Sequence, residues 1–175
     1  EGNPDRYGSP TEFLWLVVML MGVSAIAYLL LKFLPSIDPK RTARYSQHTF
    51  RQLAFVLLLF MTAITIAIMY ATQHGAINLE KFIFPLIGLL FTYLGNIMHS
   101  LKPNYFVGIR TPWTLESEET WRKTHRFAGK LWLPGGILIT GAALLLPAKA
   151  AVIVFAALMA VLILIPVVYS YVYYK

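Results

Sequence analysis

His125 follows Glu118 by seven residues and Glu119 by six, which places one imidazole and two carboxylates in a single segment. General acid–base chemistry needs such a pair within hydrogen-bond reach of a substrate. On a helix, Glu118, Trp121, Arg122 and His125 fall at i, i+3, i+4 and i+7 and share a face. The same spacing suits an exposed group of ion pairs. A second set lies in apolar sequence: Gly88, Thr92, Asn96 and His99 fall at i, i+4, i+8 and i+11 and form one helical stripe. Inside a bilayer, Asn and His need hydrogen-bond partners, so the stripe should face other helices or line a polar cavity. His99, one turn from its helix end, is also placed to reach the membrane interface. With Arg110 and His125, this pair would make a small-molecule pocket, for a transporter or for a membrane-embedded hydrolase or transferase. A zinc site from His99, His125 and Glu118 would require two segments distant in sequence to converge. The chain has no HExxH pattern, no glycine-rich phosphate loop and no serine in a nucleophile elbow. No catalytic residue, metal site or cofactor is therefore assigned, and the chain is not read as an enzyme.

The elements that must carry these residues are set by where charge is missing. Of 175 residues 58% are hydrophobic and 13% charged, against about 25% charged in a soluble domain. Lys, Arg, Asp and Glu are absent from 13–31, 52–79, 82–101, 131–148 and 150–174. Crossing a hydrocarbon core of about 30 Å takes about 20 helical residues. Five transmembrane helices are expected, at about 12–34, 52–72, 82–100, 128–146 and 150–173. The fold class is an all-α polytopic helix bundle. The second helix carries Thr62, Thr65, Met69 and Thr72 on one stripe, and the fourth carries Gly135, Gly136 and Gly141. Both suit close helix packing. Pro147-Ala148-Lys149 makes a minimal turn between the last two helices. With no cysteine, disulfides and thiol chemistry are excluded.

Net charge is +7, and its distribution argues for topology rather than nucleic acid. Alternating the spans puts twelve cations on one side: Lys32, Lys40, Arg41, Arg44, Arg51, Lys102, Arg110, Arg122, Lys123, Arg126, Lys130 and Lys175. Three, Arg6, Lys81 and Lys149, fall on the other. Loops rich in Lys and Arg stay in the cytoplasm, so Lys175 is expected inside and residue 1 outside. The basic side also suits anionic lipid. Tyr169, Tyr171, Tyr173 and Tyr174 read as an aromatic belt at the inner interface.

Residues 102–132 hold nine of the 23 charged residues and three of the four tryptophans. Thr111 or Thr114 can cap a helix, and with Thr111 as cap Pro112 takes the first helical position. Acidic residues (Glu116, Glu118, Glu119) precede basic ones (Arg122, Lys123, Arg126), the order that a helix dipole favours. Glu118–Arg122 and Glu119–Lys123 are i,i+4 pairs. The spacing predicts a short amphipathic helix over 112–126 lying along the inner leaflet, anchored by Trp113, Trp121 and Trp132, with Gly129 ending or bending it. Gly108 marks an unusual backbone angle or a close approach.

The string KPNYFVGIRTPWTL, followed by EETWRKTHRFAGKLW, resembles the signature of the SdpI family of bacterial multi-pass membrane immunity and signalling proteins. The opening GNPDRYGSP similarly resembles the extracellular end of the small domain that precedes this signature in many members. The resemblance implies residues 1–11 as the end of that domain. Residues 12–175 would form the SdpI-like transmembrane domain, with cytoplasmic loops 35–51 and 101–127. It also implies a sixth, N-terminal span ahead of this chain, with both termini then inside the bacterial cytoplasmic membrane. The functions it implies are resistance to a secreted peptide toxin and retention of a soluble cytoplasmic repressor at the membrane. Neither role involves direct contact with nucleic acid. Asn104, Tyr105, Gly108, Arg110, Thr111, Pro112 and Trp113 are the expected fixed motif, with Arg110 bonded to helix-end carbonyls or to a carboxylate. Trp121, Arg122, His125 and Arg126 are the expected neighbouring surface, and Asn96 and His99 the intramembrane polar pair.

Overall fold

The computed structural model describes residues 8–38, 47–74 and 80–175. Helix α1 (Pro10–Ile37) begins at a capping box: Ser9 accepts from the Glu12 N–H while the Glu12 carboxylate accepts from the Ser9 N–H. That reciprocal pair uses two of the donors a helix start leaves free. Helices α2 (Gln47–His74) and α3 (Glu80–Ile97) follow, α3 running into a 3₁₀ turn at Met98–Ser100. After an irregular connector come α4 (Pro112–Glu116), α5 (Glu118–Leu145) and α6 (Ala148–Tyr174). No strand occurs among the described residues. Five helices are long and apolar enough to cross a membrane, in agreement with the five charge-free runs. The tight turn expected at Pro147 is present, with α6 starting at Ala148.

Helix α1 packs on α2, and α5 lies against both α3 and α6, most extensively against α3. Lipid is as apolar as a leucine side chain, so burial cannot drive helices together within a bilayer; close packing of small residues does. The α3–α5 seam is made that way. A Cβ added to Gly88 would stand 2.7 Å from the Gly136 carbonyl oxygen, and one on Gly129 would stand 2.7 Å from that of Gly95. Thr92 and Thr140 bond back to the carbonyls of Gly88 and Gly136, each at 2.9 Å, which hides their hydroxyls within the seam. On the α6 side Gly135 receives Leu162, and the Trp132 indole donates to the Leu162 carbonyl at 2.7 Å. Phe84 of α3 stacks on Phe155 of α6 at 4.1 Å.

The connector before α5 departs from expectation. The helix anticipated over 112–126 is divided at Ser117, whose extended backbone (φ −116°, ψ 119°) ends α4 and whose side chain caps α5 by accepting from the Thr120 N–H at 3.2 Å. The charged stretch after it is not a separate element lying along a leaflet. It is the first half of one continuous helix of 28 residues, about 42 Å long. Gly129 does not end this helix, because its missing side chain is used sideways, to admit the α3 backbone.

Gly136→Ala should lower the thermal unfolding midpoint in detergent by the equivalent of about 1–3 kcal/mol, the usual cost of overpacking. Its methyl group would collide with the Gly88 carbonyl and with Thr92. Gly141→Ala, which meets nothing within 4 Å, should leave the midpoint unchanged or raise it. Equal responses from the two variants would refute the glycine seam.

Candidate functional site

The connector 101–111 has irregular backbone, so its peptide groups must find partners outside any helix or sheet. Asn104 supplies four of them and is fully buried. Its amide nitrogen donates to the carbonyls of Lys102 (2.9 Å) and Val107 (3.0 Å), and its oxygen accepts from the N–H groups of Phe106 (2.9 Å) and Val107 (2.7 Å). The Tyr105 N–H reaches across the sequence to the Asp38 carboxylate at 2.9 Å, tying the connector to the end of α1.

Two side chains of α5 rise beneath the same loop. The Trp121 indole N–H donates to the Leu101 carbonyl at 2.9 Å, and the imidazole of His125 stacks on the indole with ring centres 4.0 Å apart. The Ile109 N–H can only donate, so His125 Nε2, 3.0 Å away, accepts. The Trp121 carbonyl can only accept, so Nδ1, 2.8 Å away, carries the proton. Both nitrogens of a neutral ring are thereby used in structure. Gly108, at φ +117°, lies directly over this pair; a Cβ there would strike His125 Nε2 and come within 3.2 Å of the Trp121 ring. Both readings of Gly108, the unusual angle and the close approach, hold.

The start of α4 locks the far end of the connector. Thr111 caps the helix by accepting from the Thr114 N–H, Thr114 returns the bond by accepting from the Thr111 N–H at 2.9 Å, and Pro112 holds the first helical position. The Thr114 hydroxyl also donates to the Ile109 carbonyl at 2.8 Å, and the Thr111 hydroxyl lies 3.0 Å from that of Ser170 on α6. Trp113 packs on Tyr171, with ring centres 4.9 Å apart. The Tyr173 hydroxyl donates to Glu119 at 2.8 Å, and Lys123 lies over the Tyr173 ring at 5.5 Å. The Glu119–Lys123 pairing expected along the helix is thus routed through Tyr173. The tyrosine belt has more to hold than an interface.

Several expected roles change with these positions. Trp121, expected at the membrane interface, is 1% exposed, and so is His125, expected in an exposed ion-pair face. Of the four residues expected to form one surface, only Arg122 and Arg126 are exposed. Arg110 is exposed and donates to the Tyr105 carbonyl at 2.6 Å. Its acceptor is a loop carbonyl rather than a helix end or a carboxylate. Tyr105 and Phe106 lie outermost, 42% and 40% exposed. Among the described residues, no cluster of three metal-ligating side chains forms. Asp38, Thr114, Ser170 and Tyr173 were given no site role by sequence reasoning. For Thr114 a signal existed, since two threonines three apart around a proline spell a reciprocal cap. The partners of Asp38 and Ser170 lie about 60 residues away in sequence and leave no local trace.

Beside the connector lies an open cavity of about 600 Å³ between the end of α3 and the first half of α5. Gly95, Asn96 and His99 form its α3 wall; Arg122, Arg126, Gly129, Lys130, Leu133 and Pro134 form its α5 wall. Asn96 and His99 are therefore together on this cavity. Arg110 and His125, grouped with them on sequence grounds, are not on its walls.

Five membrane-crossing helices with a hydrogen-bonded corner between the third and fourth define an all-helical polytopic membrane protein. Residues 100–170, which begin just before that corner and run into α6, match the SdpI/YfhL protein family. Over 83 residues the chain is 28% identical to the Immunity protein SdpI of Bacillus subtilis (strain 168). That match covers 47% of this chain and 40% of the relative's length. No solved structure matches the chain.

Asn104→Ala should strip partners from four peptide groups, at about 1–3 kcal/mol for each one that water cannot reach. The expected result is a lower unfolding midpoint together with faster tryptic cleavage after Arg110. Unchanged cleavage would mean that the loop is held by something other than this side chain.

Proposed function

We propose that the protein is an immunity-type membrane protein. It resists a secreted peptide toxin, holds a soluble repressor at the membrane, or does both. The observation that carries this reading is the coincidence of the family match with the pinned corner, together with the likeness to a relative named as an immunity protein. A binding role also suits the division of labour within the motif. Asn104, Gly108, Thr111, Trp121 and His125 are consumed in holding the backbone, while Tyr105, Phe106 and Arg110 are left outward. Aromatic and arginine side chains dominate binding hot spots.

The enzyme or transporter reading with a pocket of Asn96, His99, Arg110 and His125 is disfavoured by the dispersal of those four. His125 is buried with both ring nitrogens bonded to backbone, which leaves no lone pair or proton for a substrate. The twelve-to-three partition of cations supports an orientation with residue 1 outside and the connector and C-terminus in the cytoplasm. Residues 1–11 are read as the end of a preceding domain and 12–175 as the transmembrane domain, with loops 35–51 and 101–127 inside.

Resistance is tested by expressing the full protein in toxin-sensitive cells. Arg110→Ala should accumulate normally while toxin tolerance falls by about tenfold, the effect of losing one good interface contact. Loss of abundance in step with tolerance would instead make Arg110 an architectural residue. Orientation has a clean readout because the chain has no cysteine. Tyr105→Cys should react with an impermeant maleimide in inverted vesicles and not in intact cells; the reverse pattern would overturn the topology.

A further inference from the structure

The cavity between α3 and α5 is not used by the corner, and its walls change character along the helix axis. Arg122, Arg126 and Lys130 stand at i, i+4 and i+8 on one face of α5, about 6 Å apart in rise. All three are exposed, and no Asp or Glu contributes to the walls. Among the described residues, none of the three is hydrogen-bonded or ion-paired to a protein carboxylate. Immediately below Lys130 the charge-free run of α5 begins, and there the wall becomes Leu133 and Pro134. On the α3 side the charge-free run ends at Leu101, shortly after Asn96 and His99. The cavity therefore straddles the level at which hydrocarbon gives way to headgroups. It is cationic on one side of that level and apolar on the other.

The geometry points to a binding site for an anionic phospholipid. Its phosphate would be held by Arg122, Arg126 and Lys130, with Asn96 donating beside them and an acyl chain lying against Leu133 and Pro134. Charge complementarity supplies the specificity. Basic pockets between membrane helices on the cytoplasmic side favour anionic headgroups, and a zwitterionic lipid brings its own cation into repulsion with the three on the wall. A soluble anion would satisfy the cations but leave the apolar half of the cavity unfilled. The site is independent of toxin resistance, since lipid preference is read on the purified protein alone.

Native mass spectrometry of the full chain, exchanged from detergent into mixed micelles, tests it. Dioleoyl phosphatidylglycerol should be retained at least about tenfold over dioleoyl phosphatidylcholine, because three cations beside the headgroup attract a net negative charge. The triple variant Arg122→Gln, Arg126→Gln, Lys130→Gln should lose that preference, while Lys149→Gln, at the other end of the bundle, should keep it. Excess inorganic phosphate should not displace the lipid. Preference surviving in the triple variant overturns the site, and displacement by inorganic phosphate overturns its assignment to lipid. If the triple variant does not fold, judged by circular dichroism and elution position, Arg126→Gln alone decides the matter. A preference unchanged by that single substitution counts against the proposal.

Discussion

Eleven residues between the 3₁₀ turn that follows α3 and the start of α4 carry peptide groups with no regular ladder to receive them, packed against the N-terminal half of α5. An unpaired peptide N–H or C=O in such a place costs about 1–3 kcal/mol. The corner therefore exists only if side chains substitute for backbone. Asn104 takes four groups, Trp121 one and His125 one, with Asp38 and Thr114 accounting for others. Each of these has a single geometry in which it works. The loop is consequently held in one shape, and Gly108 must be glycine because the imidazole and indole occupy the space where a side chain would go.

The same requirement decides what the motif can offer outward. A histidine whose two nitrogens serve Ile109 and Trp121 has no chemistry left to give, and a tryptophan at 1% exposure anchors no membrane. Their neighbours on the helix, Arg122 and Arg126, are rotated away by the 100° step between successive residues and remain exposed. One stretch of α5 thus presents a structural face to the connector and a cationic face to the cavity. The glycine seam sets that cavity's position. Gly95 and Gly129 bring two backbones together, so the long side chains around them must lie to the side of the crossing.

Much of this was legible in order along the chain. Five charge-free runs long enough to cross a bilayer yield five helices because hydrocarbon forbids unpaired backbone, and that constraint acts locally, whatever the neighbours. The cap at Thr111 with Pro112 behind it was legible for the same reason, since a helix start is satisfied within four residues. Ser117 was not singled out, although it carries the same kind of signal. A second cap so soon after the first is hidden by the amphipathic pattern that runs through both helices. The grouping of Asn96 with His99 was legible from helical periodicity; their separation from Arg110 and His125 was not.

By itself, the sequence determined the number of spans, the all-helical class, the asymmetry of charge and the segment in which the unusual chemistry is concentrated. Each of these follows from composition and from periods of a few residues. Only the tertiary structure decided which motif residues are buried beneath the corner and which face outward. That choice depends on contacts such as Tyr105 with Asp38, Thr111 with Ser170 and Ile109 with His125, whose partners are 67, 59 and 16 residues apart. A hydrogen bond is formed by proximity in space, and no local pattern records where the chain will return.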